Sequence, residues 1–196
     1  MKFLIYTGIV LVLLFIASQI WAQSQTKNIE MYPFEVMQQY DGFEIRKYEA
    51  ANFIYVTMDA KNYKESSSEG FGQLAGYIFG GNDAKRKIAM TSPVEMEMED
   101  NVTMKFLVPA EYDLNEMPRP DNANVQFKSE APRTMAAISF GGFADDEKIE
   151  KYKNKLFAML AEQGIEHKEN YSFMGYNPPF ELINRKNEIV VEIVLN

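Results

Sequence analysis

Carboxylates are the residue type in this sequence that could most readily do chemistry. Acidic side chains alternate along one predicted strand at Glu95, Glu97 and Glu99. Such a cluster could bind a hard cation, although a row of acidic side chains more often marks a solvated strand face. Glu188 and Glu192 share one side of the last predicted strand. A carboxylate that points into a barrel could have a raised pKa and act as a base.

Composition excludes several classes of functional site. The chain of 196 residues contains no cysteine, which rules out disulfides, thiolate metal sites and thiol catalysis. Its single histidine is His167, which we interpret as a loop residue facing solvent. A formal net charge of −8 argues against nucleic acid as a partner, because phosphate binding needs a positive field. Without a convincing catalytic constellation, the sequence predicts that the protein is not an enzyme.

The N-terminus predicts export. Lys2 is followed by an apolar run that ends near the small residue Ala22, so residues 1–22 fit a secretory signal peptide cleaved before Gln23. The same residues could alternatively remain as a membrane anchor, which would be the chain's only contact with the membrane. Both interpretations place the folded part outside the cytoplasm, in the periplasm or secreted. Residues 23–31 are polar and predict a flexible lead-in to a domain over 32–196.

The first half of the domain predicts a hairpin followed by a helix. Two alternating runs, 34–40 and 43–48, are joined by Asp41-Gly42, which is a strong hairpin signal. Residues 65–79 place apolar side chains on one helical face. Ser68, Gly72 and Gly76 recur every four residues on a second face. Glycine in a helix costs about 1 kcal/mol relative to alanine, so a strand or a flat ligand is expected to approach this stripe closely.

The stretch 87–98 predicts a bent strand beside that helix. Pro93 interrupts it, and proline cannot donate a ladder hydrogen bond, so an edge, bulge or bend is expected. Apolar and acidic residues alternate from Val94 to Met98, as in a strand with one buried face. A groove between the helix and the bent strand could hold a ligand. A proline bulge without a ligand would explain the same pattern.

The second half of the domain repeats the predicted order of the first. Residues 43–58 align with 125–140 at an offset of 82, and the proline-containing stretch 109–124 connects the halves. A second helix over 146–163, a proline-broken strand over 171–183 and a strand over 188–195 follow. Two pseudo-repeats, about 43–108 and 125–195, therefore predict an antiparallel sheet or distorted barrel with two helices.

Four short stretches resemble those of the SOUL haem-binding protein family. They are Gly72 to Asn82 (GQLAGYIFGGN), Lys87 to Val94 (KIAMTSPV), Phe140 to Phe143 (FGGF) and Gly175 to Phe180 (GYNPPF). The resemblance extends from about residue 32 to 195. It implies an α+β fold in which two β-α-β-β-type pseudo-repeats form a distorted antiparallel β-barrel with two flanking helices. It also implies that haem or another tetrapyrrole binds in a hydrophobic groove beside the first helix.

The resemblance also implies which residues contact the ligand. By position, the cofactor-binding groove would be lined by Phe71, Gly72, Ala75, Gly76, Met90, Tyr176 and Phe180. In some members of the family, basic side chains lie near the groove for the haem propionates. The corresponding positions in this sequence are Ser68, Gly76 and Glu181. None of these is basic, and His167 does not correspond to a proposed histidine ligand. Binding is therefore expected to be weak and apolar, without a fixed histidine ligand and without a metal site in the protein.

Two alternatives remain open from the sequence. The first is a general barrel that binds hydrophobic or cationic small molecules. The negative net charge of the chain and Glu181 favour this alternative. The second is a hydrolase that acts through a buried carboxylate such as Glu192. A buried and unpaired Glu192 would support either alternative.

Overall fold

A computed structural model describes residues 2–26 and 29–194. The first element is helix α1 (Lys2–Thr26), and it is followed by strand β1 (Glu30–Met31). The predicted lead-in over 23–31 therefore begins within α1 and ends in β1, while residues 27 and 28 lie outside the described residues. Within the part of the chain that is described, no helix is long and apolar enough to cross a membrane.

The folded domain contains two helices and ten further strands. The helices are α2 (Tyr63–Ile78) and α3 (Asp146–Glu162), and Leu114–Glu116 forms a short 3-10 turn. In the first half the strands are β2 (Phe34–Gln39), β3 (Glu44–Tyr48), β4 (Ala51–Met58), β5 (Thr91–Ser92), β6 (Val94–Met98) and β7 (Val102–Leu107). In the second half they are β8 (Gln126–Glu130), β9 (Arg133–Gly141), β10 (His167–Gly175) and β11 (Lys186–Ile193).

Nine of these strands form one antiparallel sheet in the order β2-β3-β9-β11-β10-β6-β7-β4-β8. The predicted α+β class is confirmed. The predicted distorted barrel is met only in part: β2 and β8 lie at opposite ends of the order and do not pair, so the antiparallel sheet is a curled half-barrel. The short strands β1 and β5 pair in parallel as a separate two-stranded sheet.

The proline-containing stretches differ from the prediction. Residues 87–90 have no regular structure, and a cis Ser92-Pro93 bond separates β5 from β6. Residues 176–185 form a loop between β10 and β11, so the prediction of a proline-broken strand over 171–183 is wrong in its second part. Pro178 and Pro179 lack the N–H groups that a strand would need there.

Both helices are fixed at their first turn by a side-chain cap. The Asn62 carboxamide accepts a hydrogen bond from Glu65 N, and the Asp145 carboxylate accepts one from Lys148 N. Such caps satisfy N–H groups that have no partner within the helix. α2 then packs on β4 and β7, and α3 packs on β9, β10 and β11. The predicted helix over 146–163 is thereby confirmed to within one residue.

The sheet has two different faces. The face under the helices is apolar and carries the larger core, including Ile54, Met104 and Phe173. The opposite face contains a smaller apolar cluster, which Tyr32 covers directly after β1. The Tyr32 ring lies 4.8 Å from that of Tyr48, measured between centroids. Charged side chains share this second face because residues alternate between the two faces of a strand.

Candidate functional site

The small-residue stripe on α2 faces open space. Gly72 and Gly76 are exposed, and a Cβ added at either position would meet no atom within 4 Å. Close packing of the stripe on the sheet is therefore wrong. The glycine that does approach the sheet is Gly70, where a Cβ would lie 2.8 Å from Met58 Cε. The four-residue repeat of small residues did not include Gly70, which lies two residues from Gly72 and therefore on another side of the helix.

Aromatic side chains border this open face at both ends. Phe71 is 38% exposed and Phe79, the residue that directly follows α2, is 63% exposed. Phe79 stands three residues after Gly76. The Phe71 ring rests on Phe106 of the sheet, with 5.5 Å between centroids. A smooth helix face between two partly exposed rings offers the flat apolar contact that a planar ligand needs.

The other predicted groove residues occupy different places. Ala75 is buried next to the open face, and Met90 is half-buried against the core on the helix side of the sheet. Tyr176 lies on the opposite face, where its hydroxyl donates a hydrogen bond to Glu188. Phe180 is 51% exposed in the loop 176–185. The structure thus gathers the four α2 residues and Met90 on one side of the sheet and places the Tyr176 side chain on the other.

The α2 face is a surface and not an enclosed cavity. A depression of about 650 Å³ is lined by residues of the β6–β7 turn, including Glu99 and Asp100. A second depression of about 260 Å³ lies beside Tyr48 and Pro132. None of the seven predicted groove residues lines either depression.

A buried ion network lies on the sheet face opposite the helices. Lys105 on β7 is fully buried. Its Nζ lies 3.0 Å from Glu95 Oε1, 2.7 Å from Glu97 Oε1 and 3.0 Å from Glu130 Oε1. Arg133 Nη2 lies 2.9 Å from Glu130 Oε2. Burial would raise the pKa of Glu95, but Lys105 and Arg133 bring it below its ordinary value.

This network corrects the expectation that the acidic residues of the strand 94–98 lie on a solvated face. Glu95 is 2% exposed and Glu97 is half-buried, so neither belongs to a solvated face. Glu99 and Asp100 are exposed, as that interpretation expected. Among the described residues no group of three or more histidine, cysteine or acidic side chains could hold a metal ion. The sequence pattern of this strand does not reveal the cationic partners Lys105 and Arg133, because they lie on other strands.

A second buried cluster surrounds Glu188 on β11. Its two carboxylate oxygens accept hydrogen bonds of 2.8 and 2.9 Å from the Arg46 guanidinium, a bidentate pair. The hydroxyl groups of Ser139 and Tyr176 also donate to it. Burial would raise the pKa of Glu188, but Arg46, with Tyr176 and Lys186, lowers it to about 2. A raised pKa for this carboxyl is therefore wrong, and Glu188 is not suited to act as a base near neutral pH.

Two further residues differ from their predicted settings. The Glu192 side chain is 32% exposed and pairs with Lys168 Nζ at 2.8 Å, so it is neither fully buried nor unpaired. His167 is the first residue of β10 and is half-buried, so its assignment to a solvent-facing loop is wrong. Its ring lies 4.2 Å from that of Phe157, between centroids. This contact explains its burial, because the ring packs on α3.

Comparison with known proteins identifies the family. Residues 29–192 match the family model described as SOUL heme-binding protein. Heme-binding protein 2 of Homo sapiens is 31% identical over 156 residues, which cover 75% of this chain and 76% of that protein. Heme-binding protein 2 of Mus musculus is 29% identical over 166 residues, 80% of each chain.

Solved structures share the fold at low identity. The EcmrR C-terminal domain has a TM-score of 0.61 at 9% identity and covers 79% of this chain and 98% of its own. A hydrolase from Listeria innocua has a TM-score of 0.56 at 8% identity, covering 88% and 96%. SAV2435 bound to tetraphenylphosphonium has a TM-score of 0.51 at 7% identity, covering 78% and 93%. The family match and the relatives, together with the half-barrel fold, show that the chain belongs to the SOUL heme-binding protein family.

Proposed function

We propose that the protein binds haem or a related tetrapyrrole on the open face of α2, without a fixed histidine ligand. The observation that carries this proposal is the unobstructed surface over Gly72 and Gly76 between the partly exposed rings of Phe71 and Phe79. The family name and the names of its relatives support the ligand class. The face offers apolar area and small side chains, so affinity would come mainly from contact with the macrocycle.

Replacing Gly76 with leucine is expected to weaken haem binding at least about tenfold, which is about 1.4 kcal/mol. The leucine side chain would occupy the open face where the macrocycle stacks. Because a Cβ at Gly76 meets no atom within 4 Å, the variant should fold normally. Its melting temperature should be unchanged or raised, since glycine disfavours the helix. Haem titration followed by absorbance, together with thermal unfolding of the same sample, measures both effects.

Ala158→Leu provides a matched control, because Ala158 is an exposed small residue on α3. It should leave haem binding unaltered. His167→Ala should likewise leave the Soret absorbance unaltered, since His167 packs on Phe157 at the start of β10. If Gly76→Leu binds haem as the parent chain does, the site is not on this face. Loss of the Soret shift in His167→Ala would contradict histidine-independent binding.

We further propose that the chain is exported, with cleavage before Gln23. The apolar run and the small residue at Ala22 support this proposal. N-terminal sequencing of protein recovered from the periplasm or medium should begin near Gln23. Intact Met1 in a membrane fraction would instead favour a retained anchor.

The two halves of the domain are proposed to be pseudo-repeats. The edge strand β2 has no counterpart in the second half. For the other eight strands of the sheet, exchanging β3 with β8, β4 with β9, β6 with β10 and β7 with β11 returns the observed order in reverse. The offset of 82 also converts the observed pair Ile45–Ala136 into the observed pair Phe127–Ile54. An experimental structure whose halves, about 43–108 and 125–195, cannot be superposed by one rotation would contradict the proposal.

The buried carboxylate of Glu181 favours a second class of ligand, lipophilic cations. Glu181 is 5% exposed, and no partner within residues 2–26 and 29–194 reaches its Oε2. The related fold of SAV2435 is bound to tetraphenylphosphonium. Binding of tetraphenylphosphonium to the parent chain, lost in Glu181→Gln, would support this class.

An enzymatic role is the less supported alternative. Glu188 and Glu192 are both ion-paired, which leaves neither free to act as the base of a hydrolase. The Listeria innocua hydrolase shares the fold alone at 8% identity. We therefore propose that the protein acts by binding and not by catalysis. Hydrolysis of a model ester by the parent chain but not by Glu188→Gln would overturn this.

A further inference from the structure

Three consecutive basic residues follow the helix that carries the proposed ligand site. Helix α2 ends at Ile78, and Lys85, Arg86 and Lys87 stand on the loop that comes next. We call residues 82–88 the basic loop. Its charge bears on the ligand because tetrapyrroles such as haem carry carboxylates, and the positions at which the family resemblance would place their basic partners are not basic here.

Buried contacts fix the basic loop against the end of α2. Asn82 is 0% exposed. Its side-chain amide donates a hydrogen bond of 2.8 Å to the Arg86 carbonyl oxygen, and its side-chain oxygen accepts one of 3.0 Å from Arg86 N. Further along the loop, Ile88 N donates to the Ile78 carbonyl oxygen at 2.8 Å. Lys87 therefore lies beside the last turn of α2, at the C-terminal end of the open face.

Two of the three cations are already engaged within the protein. Lys85 Nζ pairs with Asp121 at 2.7 Å. The Arg86 guanidinium donates a hydrogen bond to the Glu116 carbonyl oxygen. Lys87 is exposed, and its ammonium has no hydrogen bond or ion pair with any residue that the structure describes. Of the three side chains, Lys87 is therefore the one that can meet a charged group of a ligand without giving up a partner.

The N-terminal end of the open face is acidic. Glu65 and Glu69 are exposed, and their spacing of seven and three residues from Gly72 places them on the same side of α2. Asp146 of α3 accepts a hydrogen bond of 2.8 Å from the backbone N–H of the first residue of α2. Lys64 is exposed at this end as well, but these three carboxylates offset its charge. A ligand carboxylate is therefore disfavoured at the first turn of α2 and favoured beside the basic loop.

We propose that Lys87 pairs with a carboxylate of the bound tetrapyrrole. The carboxylate-bearing edge of the macrocycle then points toward the C-terminal end of α2, and the ring lies over Gly72 and Gly76. This inference rests on the proposed binding of a tetrapyrrole to the open face, and it adds the orientation of the ligand and a preference for free carboxylates. The lysine stem can cover apolar area of the ligand while its ammonium stays at the edge.

Haem and its dimethyl ester separate this ion pair from stacking of the macrocycle, because esterification removes the carboxylate charges and keeps the ring. Both ligands are titrated in the same dilute non-ionic detergent and followed by Soret absorbance. In Lys87→Met the ratio of haem affinity to ester affinity should fall about three- to fivefold relative to the parent chain, as expected for an ion pair of up to about 1 kcal/mol. Lys87→Arg keeps the charge and should keep the ratio of the parent chain.

Lys64→Met is the matched control, because it removes the same charge from an exposed lysine at the other end of α2. It should leave the ratio unaltered. An equal fall in both variants would show a general effect of net charge, and a fall in Lys64→Met alone would place the carboxylates at the first turn; either result overturns the inference. An unaltered ratio in Lys87→Met, with both ligands weakened by Gly76→Leu, overturns the inference but leaves the proposed site in place. A parent chain that binds neither ligand overturns both.

Discussion

Replacing Lys105 with methionine is expected to lower the free energy of unfolding by about 3–5 kcal/mol. Methionine keeps the apolar stem but removes the ammonium that lies 2.7–3.0 Å from Glu95, Glu97 and Glu130. Glu95 is 2% exposed, so water cannot replace the lost cation, and the buried negative charge is left undercompensated. Urea unfolding at neutral pH, followed by circular dichroism, measures the loss.

Lys85→Met is the matched control for this substitution. Lys85 pairs with Asp121 at 2.7 Å, but its side chain is 73% exposed, and exposed pairs contribute about 0–1 kcal/mol. Adding Glu95→Gln to Lys105→Met should restore part of the lost stability, because it removes one uncompensated charge. If Lys105→Met unfolds no more readily than Lys85→Met, the buried network does not stabilise the fold.

Local patterns in the sequence were sufficient for the helices and the family. The i, i+3 and i+4 spacing predicted α2 and α3, and the Asp41-Gly42 turn predicted the β2–β3 hairpin, which the register Gln39–Glu44 confirms. These features depend on neighbours within a few residues. The same spacing correctly placed Leu74, Ala75 and Ile78 on the side of α2 that meets the sheet. It could not show whether a neighbour covers the glycine stripe, because an exposed glycine and a closely packed one leave the same pattern in the sequence.

The buried ion pairs required information that local patterns do not contain. Arg46 and Glu188 are 142 residues apart, and Lys105 and Glu130 meet only because β4 brings β7 and β8 to its two sides. A usable signal was nevertheless present. Lys105 stands between Met104 and Phe106 in a mostly apolar strand, and a charge at a fully buried strand position needs a partner of opposite sign.

Replacing Glu188 with glutamine is expected to lower stability by about 3 kcal/mol near neutral pH. The side chain is 0% exposed, and its pKa in the folded protein is about 2, below the ordinary value of 4.5. Because the folded-state pKa is lowered, the ionised carboxylate contributes fully above pH 4.5, and that contribution is lost as pH falls through about 2. Glutamine cannot titrate, so the difference between parent and variant should shrink within this window.

Urea unfolding of both proteins at several pH values down to about pH 3 tests this dependence. Glu192→Gln on the same strand is the control. Its carboxylate is 32% exposed and paired with Lys168, so the loss should stay below about 1 kcal/mol. Glu95 and Glu130, whose pKa values are also lowered, titrate in both proteins and cancel in the difference. A difference for Glu188→Gln that stays constant across the window would show that the Glu188 proton is not linked to folding. The bidentate Arg46 contact would then stabilise the half-barrel through hydrogen-bond geometry and not through charge.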